Sequence, residues 1–322
     1  MQIALKAEII DNLSTLIAYN VRGSVQYKHR FDGFVGELDF KEFMTLRKPD
    51  NIFLDGGMFV PIKQKTSYLE NPVYFTVTSQ PIENYRDVYS RFSNVSCKAL
   101  YILCWNADTS HTWDRKDILN IGKSILVPTF IVYKFKDGDF ISSSLDELLA
   151  EFRKTYHSYK DEVNSCIKQH FADTLMRFDE THLKELYLQR LVFDGYIGLQ
   201  YERGKPTDID QIVLSGKTDD YYLLEVKEKD LCKREPKGFG MDIERIGFFG
   251  DLKRQIGMET YYFIKQIKDQ RTREFLQWRY ITMTDFFKYC LKENVEGGIG
   301  MRSENSKNYT WICPENHFKV YP

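Results

Sequence analysis

Three ionisable residues stand out in "TDIDQIVLSGKTDDYYLLEVKEKD", Thr207 to Asp230: Asp210 lies on one apolar run, and Glu225 and Lys227 lie on the next. The turn-forming residues around "GKTDD" fold the segment into a hairpin. Side chains alternate along a strand, so Glu225 and Lys227 share one side while Leu224 and Val226 face the opposite layer. In an antiparallel pair Asp210 reaches the same edge. Two converging carboxylates resist joint ionisation unless positive charge lies between them. Lys227 supplies part of that charge. A hard divalent cation such as Mg²⁺, which takes one or two carboxylates and completes its octahedron with waters and phosphate oxygens, would supply the rest. The chemistry this pattern suits is metal-assisted phosphodiester hydrolysis.

Asp210, then fourteen residues, then Glu225-Val226-Lys227, resembles the PD-(D/E)XK, restriction-endonuclease-like nuclease superfamily. The resemblance covers roughly Thr181 to Cys290. It implies that Asp210, Glu225 and the Val226 carbonyl hold Mg²⁺, with Mn²⁺ as a substitute, and that Lys227 orients or deprotonates the attacking water. It also implies an endonuclease acting on DNA in a restriction or phage-defence setting, working as a homodimer. A nuclease for RNA or branched DNA, or a non-catalytic binding module that keeps the fold, are the alternatives. The Pro-Asp of the motif is displaced, because Pro206 is followed by Thr207 and Asp208. Asp208 therefore stands beside Asp210 as a second candidate ligand, and alternation places both on one face.

Members of that superfamily often add an acid from the helix before the first strand. Glu185 in "DETHLKELYLQRLVF" fits, either pointing inward on a stripe with Leu188 and Val192 or solvated at the surface. Gln255, in the later helix, resembles a polar residue that some branches place near the site. Past the motif, "KEKDLCKREPKG" offers Lys229, Lys233, Arg234 and Lys237 as phosphate contacts. Interspersed acids make an ordinary solvated loop the competing reading.

These residues need a frame. From Phe31 to Tyr133, short apolar runs separated by turn residues predict strands, with helices at the N-terminus and near "RKDILNIGK". From Ser144, which forms a capping box with Glu147, helical spacing runs to Gly195 with a break near Phe178–Glu180. Strands return in "YIGLQYER", "DIDQIVLSG" and "YYLLEVKEKD". A helix from Asp242 to Gly257, a strand in "ETYYFIKQI" and a strand entering a helix in "WRYITMTDFFKYC" follow. The fold class is α/β, in two mixed domains. Residues 1–150 form an N-terminal domain that binds DNA or partners, 151–177 a helical linker, and 178–322 a catalytic domain with a central mixed sheet flanked by helices.

The halves also run in parallel. "KPDNIF" matches "KPTDID", "VYFTVTSQ" matches "YLLEVKEK", and "KALYILCW" matches "ETYYFIKQ". If the first half is a degenerate copy, Thr76 and Thr78 occupy the places of Glu225 and Lys227.

Composition narrows the classes. A chain of 322 residues, 43% hydrophobic and 28% charged, is long enough for two globular cores. Its net charge of −1 gives no global pull toward nucleic acid, so phosphate affinity must be local. Six scattered cysteines without a CxxC pair predict a reduced, intracellular environment. No apolar run is long enough to span a membrane, and a cytoplasmic protein is expected. HExxH, GxSxG, Walker and GxGxxG patterns are all missing from the sequence.

Overall fold

The computed structural model describes residues 2–47, 50–62, 69–118, 121–154, 161–233, 235–296 and 309–322. Two helices open the chain, α1 (Gln2–Tyr19) and α2 (Gly23–Arg47). The alternating runs then form β1 (Ile52–Val60) and β2 (Val73–Thr78), and a short helix α3 (Arg86–Phe92) leads to β3 (Ala99–Cys104). Four short strands follow: β4 (Asp114–Asp117), β5 (Ser124–Val127), β6 (Ile131–Lys136) and β7 (Asp139–Ser143). Next come α4 (Leu145–Ala150), α5 (Ser165–Leu175) and α6 (Glu180–Arg190). A π-helical stretch, Leu191–Ile197, passes into the single turn α7 (Gly198–Gln200).

The second half begins with the hairpin β8 (Thr207–Leu214) and β9 (Tyr221–Lys229). It continues through β10 (Gly238–Asp242), α8 (Ile243–Ile256), β11 (Glu259–Ile267), β12 (Phe275–Thr282) and α9 (Met283–Tyr289). The strands β13 (Leu291–Glu296), β14 (Tyr309–Pro314) and β15 (Lys319–Tyr321) close it. Helix α8 stops where Gly257 adopts a left-handed conformation, φ 71°, at its C-terminus.

The chain clusters into two compact units, Met1–Leu38 with Asp55–Asp208, and Asp39–Leu54 with Ile209–Pro322. These limits differ from the expected 1–150, 151–177 and 178–322. In the described part of 151–177, expected as a helical linker, Phe171 and Leu175 of α5 are buried in the core of the first unit. Helix α6 joins the same core through Leu183, Tyr187 and Leu188, so the first unit extends past residue 178.

In the first unit the strand order is β1-β2-β3-β6-β7. The β1/β2 pair is antiparallel, β2/β3 parallel, and β3/β6 and β6/β7 antiparallel. One face of β2 (Val73, Phe75, Val77) packs with Leu13, Leu16 and Ile17 of α1 and with α6. The other presents Tyr74 to Phe92 of α3, ring centroids 4.7 Å apart. In the second unit the order is β15-β12-β11-β9-β8, and the directions repeat: β8/β9 antiparallel, β9/β11 parallel, β11/β12 and β12/β15 antiparallel. There, Leu224 and Val226 pack with Phe40 and Met44 from the end of α2 and with Phe263 and Trp278.

Two local expectations fail. "RKDILNIGK" is not helical in its described part, because Asp114–Asp117 pairs with Ser124–Val127 and Ile118 is drawn into the core. "YIGLQYER" was expected as a strand but its first residues are helical: Val192, Phe193, Ile197 and Leu199 are all buried in one core, which an extended chain would split between two faces. Strands β13 and β15 have too little apolar pattern to announce themselves.

The π-helical stretch carries Asp194, fully buried in the first unit. Its carboxylate accepts from Asn20 and pairs with Arg30 at 2.7 Å and Arg190 at 3.6 Å. Burial pushes this carboxyl up, but the charges of Arg30, Arg190 and Arg203 outweigh it and hold the group below the usual carboxylate range. Its stabilising contribution is therefore present above the unfolded value near pH 4, and is lost as pH falls through the lower folded value. Asp194→Asn should lower stability at pH 7 by about 3–5 kcal/mol in urea titrations, since it leaves buried guanidinium charge uncompensated. The variant should also lose stability less steeply than the parent below pH 4.

Candidate metal and acid–base site

The hairpin positions the site through its register. Backbone pairing runs Leu214↔Tyr221 to Gln211↔Leu224, and one further step brings Asp210 opposite Glu225. At that step a side chain joins the strands: the Val226 amide donates to Asp210 Oδ2 at 2.6 Å. The alternation expected from the sequence holds, with Leu224 and Val226 in the core and Glu225 and Lys227 on the other side.

Three carboxylates meet here. Asp208, Asp210 and Glu225 each offer an oxygen, and the three oxygens lie within 4.8 Å of one another. An octahedral Mg²⁺ shell built on bonds of about 2.1 Å sets its ligand oxygens ~3.0 to ~4.2 Å apart, so oxygens gathered this closely could enter one shell. Asp208 and Asp210 both belong to the group, two residues apart on one face of β8.

The positive charge comes from two directions. Lys227 Nζ sits 2.7 Å from Glu225 and 3.5 Å from Asp210. Arg245, in the first turn of α8, pairs with the other oxygen of Glu225. Glu225 has no solvent exposure, and Asp210 almost none, whereas Lys227 keeps about a third of its side-chain surface open. Lys227 and the half-buried Asp208 are therefore the members that meet solvent.

A second polar shell adjoins it. Lys229 continues the Glu225 and Lys227 face of β9, and burial lowers its pKa against the opposing pull of Asp242. Burial raises Asp242, the N-cap of α8, while Lys229 and a hydrogen bond from Thr310 pull it back. Tyr262, directly beside Glu225 on β11, donates to the Gly240 carbonyl at 3.0 Å. Burial, then Glu225 and Asp242, push its phenol well above the usual range.

The remaining expected residues are more dispersed. Glu185 is half-buried on α6 in the first unit, outside the acidic trio. Gln255 is exposed on α8. Lys233 and Lys237 are exposed; Lys237 pairs with Glu235 at 3.6 Å and donates to the Lys233 carbonyl at 3.0 Å. Arg234 lies outside the described residues. At Val226, expected to offer its carbonyl, the link to the trio is the amide. Sequence reading missed Arg245 altogether. Its signal is a lone arginine in the first turn of a helix, where a cation opposes the helix dipole and needs a nearby anion to favour it.

Lys227 places an ammonium among carboxylates that could otherwise hold a cation. In Lys227→Met the carboxylates lose that ammonium, so millimolar Ca²⁺ or Mg²⁺ should raise the melting temperature more than in the parent. A free cation at about 100 times its dissociation constant adds ~2.7 kcal/mol. Asp210→Asn should abolish the shift in differential scanning fluorimetry. No protein-family model matches this chain, and neither a curated protein nor a solved structure shows significant similarity to it.

Proposed function

We propose that this protein is a Mg²⁺-dependent endonuclease that hydrolyses phosphodiester bonds in DNA, with a second unit of restriction-endonuclease-like type and a first unit that is a degenerate copy of it. The observation that carries the reading is the trio Asp208, Asp210 and Glu225 with Lys227 Nζ among its oxygens. A structural salt bridge alone would not need three carboxylates, two of them almost fully buried, around one half-open lysine. Residues of this type at this spacing also carry the resemblance to the PD-(D/E)XK superfamily.

Asp210 and Glu225, with Asp208 beside them, would hold the cation. When bound it would stabilise charge on the scissile phosphate and acidify water. Arg245 pairs with the Glu225 oxygen that Lys227 leaves, and the Val226 amide fixes Asp210. Lys227, displaced from between the carboxylates, would orient the attacking water from the solvent side. The water oxygen bonds to phosphorus, one P–O ester bond breaks, and the departing sugar oxygen takes up a proton. Exposed Lys233 and Lys237 would add non-specific contacts to the phosphate backbone.

The test is cleavage of plasmid and of labelled single-stranded and duplex DNA and RNA in Mg²⁺ or Mn²⁺. Glu225→Ala and Lys227→Ala should each lower the rate by about 10²-fold or more while both variants remain folded. Cleavage that survives both substitutions sinks the mechanism. Cutting confined to RNA would replace the substrate, and binding without cutting would favour a recognition module.

A further inference from the structure

We infer that the chain makes a single cut per encounter, leaving a nick in duplex DNA, because the first unit repeats the architecture of the second with its cutting centre filled in. This inference rests on the nuclease reading above. Both units arrange five strands with the same succession of directions, and both place a helix between their two parallel strands, α3 in the first and α8 in the second.

Register makes the comparison residue by residue. Across the β8/β9 hairpin, extending the ladder beyond Gln211↔Leu224 sets Asp210 opposite Glu225 and Asp208 opposite Lys227. In the first, Met58↔Phe75 extends to Gly57 opposite Thr76 and Asp55 opposite Thr78. Thr76 and Thr78 face the same side as Tyr74, toward α3, as Glu225 faces Arg245 of α8. Gly57 thus stands in the place of Asp210, correcting the sequence match, which would have put Phe53 there.

The position is not merely vacated. A Cβ on Gly57 would lie 2.5 Å from the Tyr74 hydroxyl and 2.5 Å from the Phe75 carbonyl, so no carboxylate-bearing side chain fits. Asp55, the one acid left, accepts from Thr78 at 2.7 Å, and Tyr85 closes the group by donating to Thr78 at 3.0 Å and accepting from the Asp55 amide. All of these residues are buried. Among the described residues, one acidic trio able to hold a cation remains.

One centre hydrolyses one ester bond, so a chain acting alone, rather than as the homodimer the resemblance implies, leaves a nick. The experiment is a time course on supercoiled plasmid with the full chain limiting, alongside Mn²⁺ binding by electron paramagnetic resonance. Open circles should accumulate before linear DNA forms. Mn²⁺ binding should vanish in Asp210→Asn, and Asp55→Asn should cleave within about twofold of the parent if folded. Linear product at the earliest times, without an open-circle intermediate, overturns the inference. So does a Mn²⁺ site that persists in Asp210→Asn and is lost in Asp55→Asn. Mn²⁺ bound at Asp210 with no cleavage of any nucleic acid overturns the nuclease reading instead, and the nick with it.

Discussion

Two nearly buried carboxylates within one hairpin are stable only because cations reach them, and much of the second unit can be understood from that requirement. Removing a carboxylate from water costs several kcal/mol, and only close, well-oriented partners offset it. Lys227 comes from the same strand as Glu225, so its approach is set by strand alternation. Arg245 must come from elsewhere, and the crossover between β9 and β11 brings it as the first turn of α8. The parallel pairing of β9 with β11 demands such a crossover, which means the topology that builds the sheet also neutralises the site. The opposite face of β9 can then stay apolar, with Leu224 and Val226 against Phe40 and Phe263.

The first unit meets the same geometric frame with another solution. Its equivalent face is neutral apart from Asp55, and aromatic rings take the room that charges occupy in the second unit: Tyr74 packs on Phe59 at 4.6 Å and on Phe92 at 4.7 Å. Its buried charge has moved to Asp194, where arginines from two helices and the residues after them converge. One frame therefore supports a dry face in one unit and an ionic one in the other.

What the sequence revealed follows physical range. The hairpin was legible because alternation is local: Asp210, Glu225 and Lys227 meet through a turn of a few residues. β1, β2, β3 and β11 were legible for the same reason, each being an apolar run with turn residues at its ends. Arg245 was not, because its partner lies 20 residues away and nothing in "DIERIGFF" marks which side of the helix faces the sheet. "YIGLQYER" misled because aromatic and β-branched residues favour strands, whereas burial of all of them in one core favoured a helix. The segment 39–54 was assigned by its place in the chain, yet Phe40 and Met44 complete the core of the later half. Asp208 and Asp210 both stand in the acidic group, since one strand face carries both.

The glycine at position 57 also limits what this face of the first unit can carry. A face that merely lacked acids could accept one by a single substitution. Here the space has been taken by a tyrosine hydroxyl and a backbone carbonyl 2.5 Å from where any new side chain would begin. An acid at 57 would meet the Tyr74 hydroxyl and the Phe75 carbonyl together; shrinking Tyr74 would clear only the first and would open a void beneath Phe59 and Phe92. The closure is held by packing: a side chain at 57 would overfill the site whether or not the ring stays.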